Sequence, residues 1–306
     1  MDPKQWEDQY SLDCAKAKLI LAEAFPELLV SSIKFLGSGW DFNCFEINAE
    51  FIFRFPRRDK YNSLFNKELE VMKLLSDSLP ILSPDYSFIS HSSKVFPNTI
   101  GGYKKIEGAP IIEIPPSQYA TIANAKTMGD FLTTLHSLNT LKKIENLSIF
   151  EERSEVTKDF RDETKKNLEE MKGMIPISVW NKFNILFEKY KGITPFLGKK
   201  VLTHNDLGVE HIICGGAENK ITGIIDWTDM AIGDPAADFA CIWASNRKFY
   251  HMVVENYSGH VDKDFEKRVE QKAIYTLIGD SLYGYSINDQ KRISWSNQIL
   301  NTNFKL

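Results

Sequence analysis

The sequence predicts an α+β protein in two lobes, a small β-rich N-terminal lobe and a larger, mainly helical C-terminal lobe. Two observations carry this. Five short β-rich segments separated by turn residues fall within residues 1–106. Beyond the connector Glu107-Gly108-Ala109-Pro110, apolar residues recur at helical spacing almost to the end, interrupted by one compact β-rich stretch. The domains are therefore read as 1–106 and 107–306.

In chain order, Leu12, Ala15, Leu19 and Ala22 line one face of a helix expected over 4–25. The period then changes. Segments 33–36, 42–47 and 51–55 read as three consecutive antiparallel strands, turned by Gly37-Ser38-Gly39 and Asn48-Ala49-Glu50. Helical spacing returns over 63–76, with Leu64, Leu69 or Met72, and Leu75 on the apolar side, until Pro80 and Pro84 stop it. Strands follow at 86–90 and 101–106. In the second half, a long helix is expected over 118–138, then helices at 155–172 and 177–190. Short strands at 200–203, 211–214 and 222–225 interrupt them, before helices at 235–258, 263–284 and about 287–302.

Composition narrows the classes. Of 306 residues, 43% are hydrophobic and 25% charged, as in a soluble globular chain. A net charge of −4 argues against nucleic acid as the main partner, because binding a phosphate backbone needs a basic surface. No apolar run approaches a membrane span, and Met-Asp-Pro-Lys-Gln-Trp is not a basic start to an apolar leader. The four cysteines form no C-x-x-C pair and read as reduced thiols. A cytoplasmic protein is expected, and nothing demands more than a monomer.

The chemistry concentrates in Val201-Leu-Thr-His204-Asn205-Asp206-Leu-Gly-Val-Glu210-His211 and, further on, Gly223-Ile-Ile-Asp226-Trp227. Each aspartate follows a short apolar strand. Either alone reads equally well as a turn former. Together, with His204 and His211 around the first, they suit phosphoryl transfer. One carboxylate takes the proton of an attacking hydroxyl, and the other holds magnesium against nucleotide phosphates.

His204-Asn205-Asp206 resembles the catalytic loop of protein kinases and, more closely, that of the aminoglycoside phosphotransferase family. Ile225-Asp226-Trp227 takes the place of the kinase D-F-G motif, and Ile232-Gly-Asp234-Pro-Ala-Ala-Asp238-Phe239 is similar to a family hallmark. The resemblance implies a protein-kinase-like two-lobed fold. It implies Asp206 as catalytic base, Asp226 as the main magnesium ligand, and His211 as a second ligand, as in the aminoglycoside 2''-phosphotransferases. Asp234 and Asp238 are read as braces of the catalytic loop, and His136 as structural. Gly37, Ser38 and Gly39 take the place of the nucleotide-covering loop. Arg54 stands where kinases have a strand lysine, with Glu68, preferred over Glu70, as its helix partner. Arginine keeps the charge and adds a fork geometry. Lys104 and Ile106 lie in a segment resembling the hinge, whose backbone would bind the nucleotide base.

The expected activity is transfer of the γ-phosphoryl group of ATP or GTP, with Mg2+, to a hydroxyl of a small molecule. An aminoglycoside is the leading acceptor. Gly39-Trp40-Asp41-Phe42, Phe55-Pro56-Arg57-Arg58 and Asp226-Trp227-Thr228 also resemble macrolide phosphotransferases, so a macrolide is the alternative. A metabolic small-molecule kinase and a silent nucleotide-binding relative are the others. Ala244-Ser-Asn-Arg247-Lys248 lacks the acidic run of aminoglycoside-binding relatives. Substrate-binding residues are not legible, although Asp280 and Glu210 could supply negative charge.

Overall fold

The structure, a computed structural model, describes residues 9–147, 158–192 and 194–304. The chain divides into two compact units. The first is Met1–Gly108 together with Thr222–Asp229, and the second is Ala109–Ile221 with Met230–Leu306. Asp226 therefore belongs to the first unit and Asp206 to the second.

The first unit opens with α1 (Cys14–Ala24). Helical spacing predicted an earlier start. Residues 4–8 lie outside the described residues, and 9–13 are not helical, because the Asp13 side chain accepts the Lys16 N–H at 2.8 Å and caps the helix there. Strands β1 (Ile33–Ser38), β2 (Phe42–Ile47) and β3 (Phe51–Pro56) follow, then α2 (Asn62–Leu75), β4 (Tyr86–Ser90) and β5 (Ile100–Lys104). The five strands form one antiparallel sheet in the order β1-β2-β3-β5-β4.

Alternation along β3 sorts its side chains between the two faces. Phe53 and Phe55 enter an apolar core with Phe45, Phe96 and the Ile20–Leu21 side of α1. Full burial of each such ring contributes roughly 2–3 kcal/mol. On the other face Phe42, Phe65 and Leu69 pack between the sheet and α2. Arg54 lies on that face, its guanidinium carbon 4.1 Å from the centroid of the Phe42 ring.

In the second unit, β6 (Ala109–Pro110) pairs antiparallel with β8 (Ile212–Gly215), and β7 (Val201–Thr203) with β10 (Ala231–Gly233). Strand β9 (Lys220–Ile224) carries the chain from the second unit into the first. The helices are α3 (Pro116–Tyr119), α4 (Ile122–Leu135), α5 (Leu138–Ile144), α6 (Lys158–Met171), α7 (Ile177–Tyr190), α8 (Ala240–Ser245), α9 (Arg247–Glu255), α10 (Phe265–Ser286) and α11 (Gln290–Thr302).

The single helix expected over 118–138 is thus broken. The Thr121 side chain accepts the Asn124 N–H and starts α4, and Ser137 does the same for Thr140 at α5. Asn246 likewise splits the expected 235–258 helix by capping α9 at the Phe249 N–H. The start of the helix predicted over 155–172 lies outside the described residues. Helix α10 is buried along most of its length, with Val269, Ile274, Tyr275 and Ile278 in the core beside Phe239 and Trp243 of neighbouring segments. Among the described residues, no helix is long and apolar enough to cross a membrane.

Candidate active site

In the first unit, Gly37 and Ser38 end β1, paired with Cys44 and Asn43 beside a register irregularity between Phe35 and Gly37, so the turn expected over all three residues begins only at Gly39. Gly37 has φ +153°, a conformation that favours glycine. The Ser38 hydroxyl donates to Asn43 Oδ1 at 2.5 Å, and the Gly39 N–H donates to the Phe42 carbonyl at 2.9 Å, so the turn is tied at both levels.

Arg54 and Glu68 meet as the sequence requires of a lone charge on an apolar strand. Nη1 of Arg54 donates to both oxygens of the buried Glu68 carboxylate at 2.7 Å and to the Tyr86 hydroxyl at 3.0 Å. The Tyr86 hydroxyl in turn donates to Glu68 Oε1 at 2.7 Å. Nη2 donates to Asp226 Oδ1 at 2.5 Å and to Thr228 Oγ1 at 3.2 Å, while the Thr228 hydroxyl donates to the same Asp226 oxygen at 2.7 Å. Both terminal nitrogens of Arg54 are therefore engaged by protein groups. Burial alone would lower its pKa, but the carboxylates of Asp226 and Glu68 outweigh it and keep the guanidinium charged.

Asp226 has φ +64°, an uncommon left-handed conformation for a residue with a side chain, and its side chain is 38% exposed. Asp41, in the loop after Gly39, is pushed up to about 7 by burial and then by the charges of Asp229 and Asp226, with Arg54 and a hydrogen bond from Tyr61 opposing. Lys104 ends β5 with an exposed side chain. Ile106 is buried, and a Cβ on Gly223 would lie only 2.8 Å from its Cγ2.

In the second unit, β7 delivers His204-Asn205-Asp206. Asn205 has φ +65°, so the chain turns sharply just before Asp206, whose side chain is 45% exposed. The turn is held by Asp238, which is fully buried. Its Oδ2 accepts the His204 N–H at 2.9 Å and its Oδ1 the Asn205 N–H at 2.7 Å. His136 Nε2 lies 3.0 Å from Oδ2, and its Nδ1 is 2.8 Å from the Tyr257 hydroxyl. Asp238 thus braces the loop directly. Asp234 acts one step away, capping the Ala236 N–H and pairing with Arg268 at 2.6 Å.

Nδ1 of His211 lies 2.8 Å from the Asp206 carbonyl. A carbonyl only accepts, so Nδ1 carries the proton and Nε2 the lone pair of the neutral ring, the form in which imidazole binds a metal. Around this loop, Arg292 of α11 reaches Asp280 of α10 at 3.1 Å and Glu210 at 3.6 Å. Burial, and then the Glu210 charge, push Asp280 up to about 7 against the pull of Arg292.

The sequence reading missed Tyr86, Thr228 and Arg292. Thr228, two residues after Asp226, was the most legible of them, because a hydroxyl so placed can bond back to the carboxylate. Neither Tyr86 nor Arg292 has a local signal.

Asp226 offers hard oxygen donors, which suit magnesium, an ion commonly held by one or two carboxylates plus substrate phosphates. Among the described residues, no group of three or more His, Cys, Asp or Glu side chains forms a site that could hold a metal alone.

A glycine turn, a buried strand-cation–helix-carboxylate pair and an aspartate loop at a strand end define a kinase-like phosphotransferase fold. Residues 32–269 match the phosphotransferase enzyme family, and the chain belongs to that family. The chain is similar to a solved kanamycin and GDP complex of an aminoglycoside phosphotransferase, APH(2'')-IIIa. That likeness has a TM-score of 0.71 at 22% identity, over 93% of this chain and 97% of that one. The macrolide 2'-phosphotransferase MphH of Brachybacterium faecium aligns with a TM-score of 0.62 at 19% identity, over 95% of this chain and 100% of that one. The uncharacterized protein YcbJ of Bacillus subtilis (strain 168) is 25% identical over 197 residues, 61% of this chain; the alignment spans 60% of YcbJ.

Proposed function

We propose that the protein transfers the γ-phosphoryl group of ATP or GTP to a hydroxyl of a small molecule, with an aminoglycoside as the leading acceptor. The observation that carries the reading is the Asp206 loop. An exposed carboxylate sits on a strained turn that a buried carboxylate, Asp238, over-determines. Asp206 accepts the proton of the acceptor hydroxyl as its oxygen attacks the γ-phosphorus, and the bond to the nucleoside diphosphate breaks. Gly37, Ser38 and Gly39 let the backbone approach the phosphates, and the backbone of the Lys104–Ile106 segment receives the base. Arg54 fixes Asp226 through its fork, and Glu68 fixes Arg54. Asp226, with His211 as a second ligand, would hold magnesium, which supplies positive charge against the phosphates.

One observation favours a macrolide as the second reading. Arg292 already pairs with Asp280 and Glu210, so two acids of the second unit that could meet a cationic acceptor are partly neutralised from within. An acceptor with fewer cationic groups needs fewer open acids.

The test is nucleotide consumption by purified protein with magnesium and either ATP or GTP, across aminoglycosides, macrolides and simple amino alcohols. Stimulation by one drug class, abolished in Asp206→Asn while nucleotide binding persists, is the expected result. Turnover in Asp206→Asn within about tenfold of the parent would remove Asp206 as base, since general-base catalysis contributes about 100–10,000-fold.

A further inference from the structure

Arg57 follows β3 directly, and at 6% exposure it is a buried cation outside the Arg54 network described above. Three of its hydrogen bonds run to the segment Gly39–Asp41 between β1 and β2. Its backbone N–H donates to the Asp41 carbonyl at 2.8 Å. Its guanidinium Nη1 donates to the Gly39 carbonyl and, at 3.4 Å, to the Trp40 carbonyl. Three consecutive carbonyls thus face one residue.

The peptide unit is planar and trans, so its C=O and N–H point in opposite directions. Drawing the carbonyls of Gly39 and Trp40 toward Arg57 therefore turns the N–H groups of Trp40 and Asp41 away from it, both to the same side. Successive N–H groups aimed one way form a concave donor set for an anion. A guanidinium behind the carbonyls also neutralises the dipole ends that would repel that anion.

We propose that Arg57 is a positioning residue for nucleotide binding: it holds the loop so that the Trp40 and Asp41 amides receive nucleotide phosphate. It does so from behind the loop, without touching the ligand. The inference rests on the nucleotide-binding reading proposed above.

The test compares binding of ADP, GDP, adenosine and guanosine to the full-length protein and to Arg57→Lys and Arg57→Met, in EDTA and in magnesium, with thermal unfolding recorded for each. Arg57→Met is expected to weaken the diphosphates about tenfold or more, the scale of lost charge-assisted hydrogen bonds, and to leave the nucleosides within about twofold. Arg57→Lys, which keeps one donor and the charge, is expected to fall between. Should both variants fail to fold, the parent protein labelled with 15N decides. The Trp40 and Asp41 amide signals are expected to shift with the diphosphates and stay in place with the nucleosides. Equal weakening of diphosphates and nucleosides, or unmoved Trp40 and Asp41 amides in the nucleotide-bound parent, would overturn the role of Arg57. A parent that binds none of the four in EDTA or magnesium would instead overturn the nucleotide reading, and this inference with it.

Discussion

Replacing Arg54 by methionine removes the cation from the Glu68–Tyr86–Asp226–Thr228 network while keeping an unbranched side chain of similar reach. The cost is set by what stays behind. Glu68 is fully buried and would lose two hydrogen bonds of 2.7 Å and its only strong counter-ion in that network. Stranding one partner of a buried pair costs about 3–5 kcal/mol. The Tyr86 hydroxyl still donates to Glu68, and Asp226 can turn to water, so the lower end, about 3 kcal/mol, is expected. Burial already raises the Glu68 pKa, with Arg54 opposing it, so the variant raises it further. A carboxylate raised on folding is protonated in both states below its unfolded pKa, so the added penalty vanishes there and grows as pH rises toward the folded pKa. Urea unfolding at pH 4 and pH 7 would read this, with a larger loss at pH 7. Arg54→Met/Glu68→Leu, which removes both charges, is expected to recover most of the loss. A single variant within about 1 kcal/mol of the parent at pH 7, the range of an exposed pair, would refute the account of Arg54 as the counter-ion of a desolvated carboxylate.

Two further outcomes follow from the second unit. Asp238→Asn leaves one acceptor oxygen where two backbone N–H groups now point, and its amide NH2 would face the other; a loss of about 1–3 kcal/mol is expected by urea unfolding, together with reduced turnover at unchanged nucleotide affinity. Burial and then the Glu210 charge push Asp280 up to about 7, so the unfolded chain releases this proton first and the contribution of Asp280 to stability falls as pH rises from about 4 to 7. Asp280→Asn should flatten that slope and stabilise the protein above pH 7 by about 1–3 kcal/mol, and unfolding midpoints at pH 5 and 8 would show whether it does.

The β-rich first lobe, its antiparallel strands, the mainly helical second lobe and the two aspartates proposed to act in phosphoryl transfer were all legible in the sequence. Each of these is written in local pattern. Alternation over a few residues separates Arg54 from Phe53 and Phe55, and a strand followed by His-Asn-Asp marks a loop without any knowledge of what surrounds it. Local competition was harder to see. Helical spacing runs through Thr121, Ser137 and Asn246, yet each side chain captures a backbone N–H and starts a new helix there, because periodicity records which face is buried and not where the hydrogen-bond ladder restarts. Only the tertiary structure decided what each charge meets. Arg54 finds Asp226 across 172 positions, and Asp238 reaches the His204 and Asn205 amides across 34 and 33. Arg57 stands in the sequence only within Phe55-Pro56-Arg57-Arg58, a run with no local sign that its guanidinium meets the carbonyls of Gly39 and Trp40. Burial makes such partners obligatory, since an unpaired charge out of water is too costly to keep. Nothing in a residue's neighbours along the chain says which distant segment will supply them.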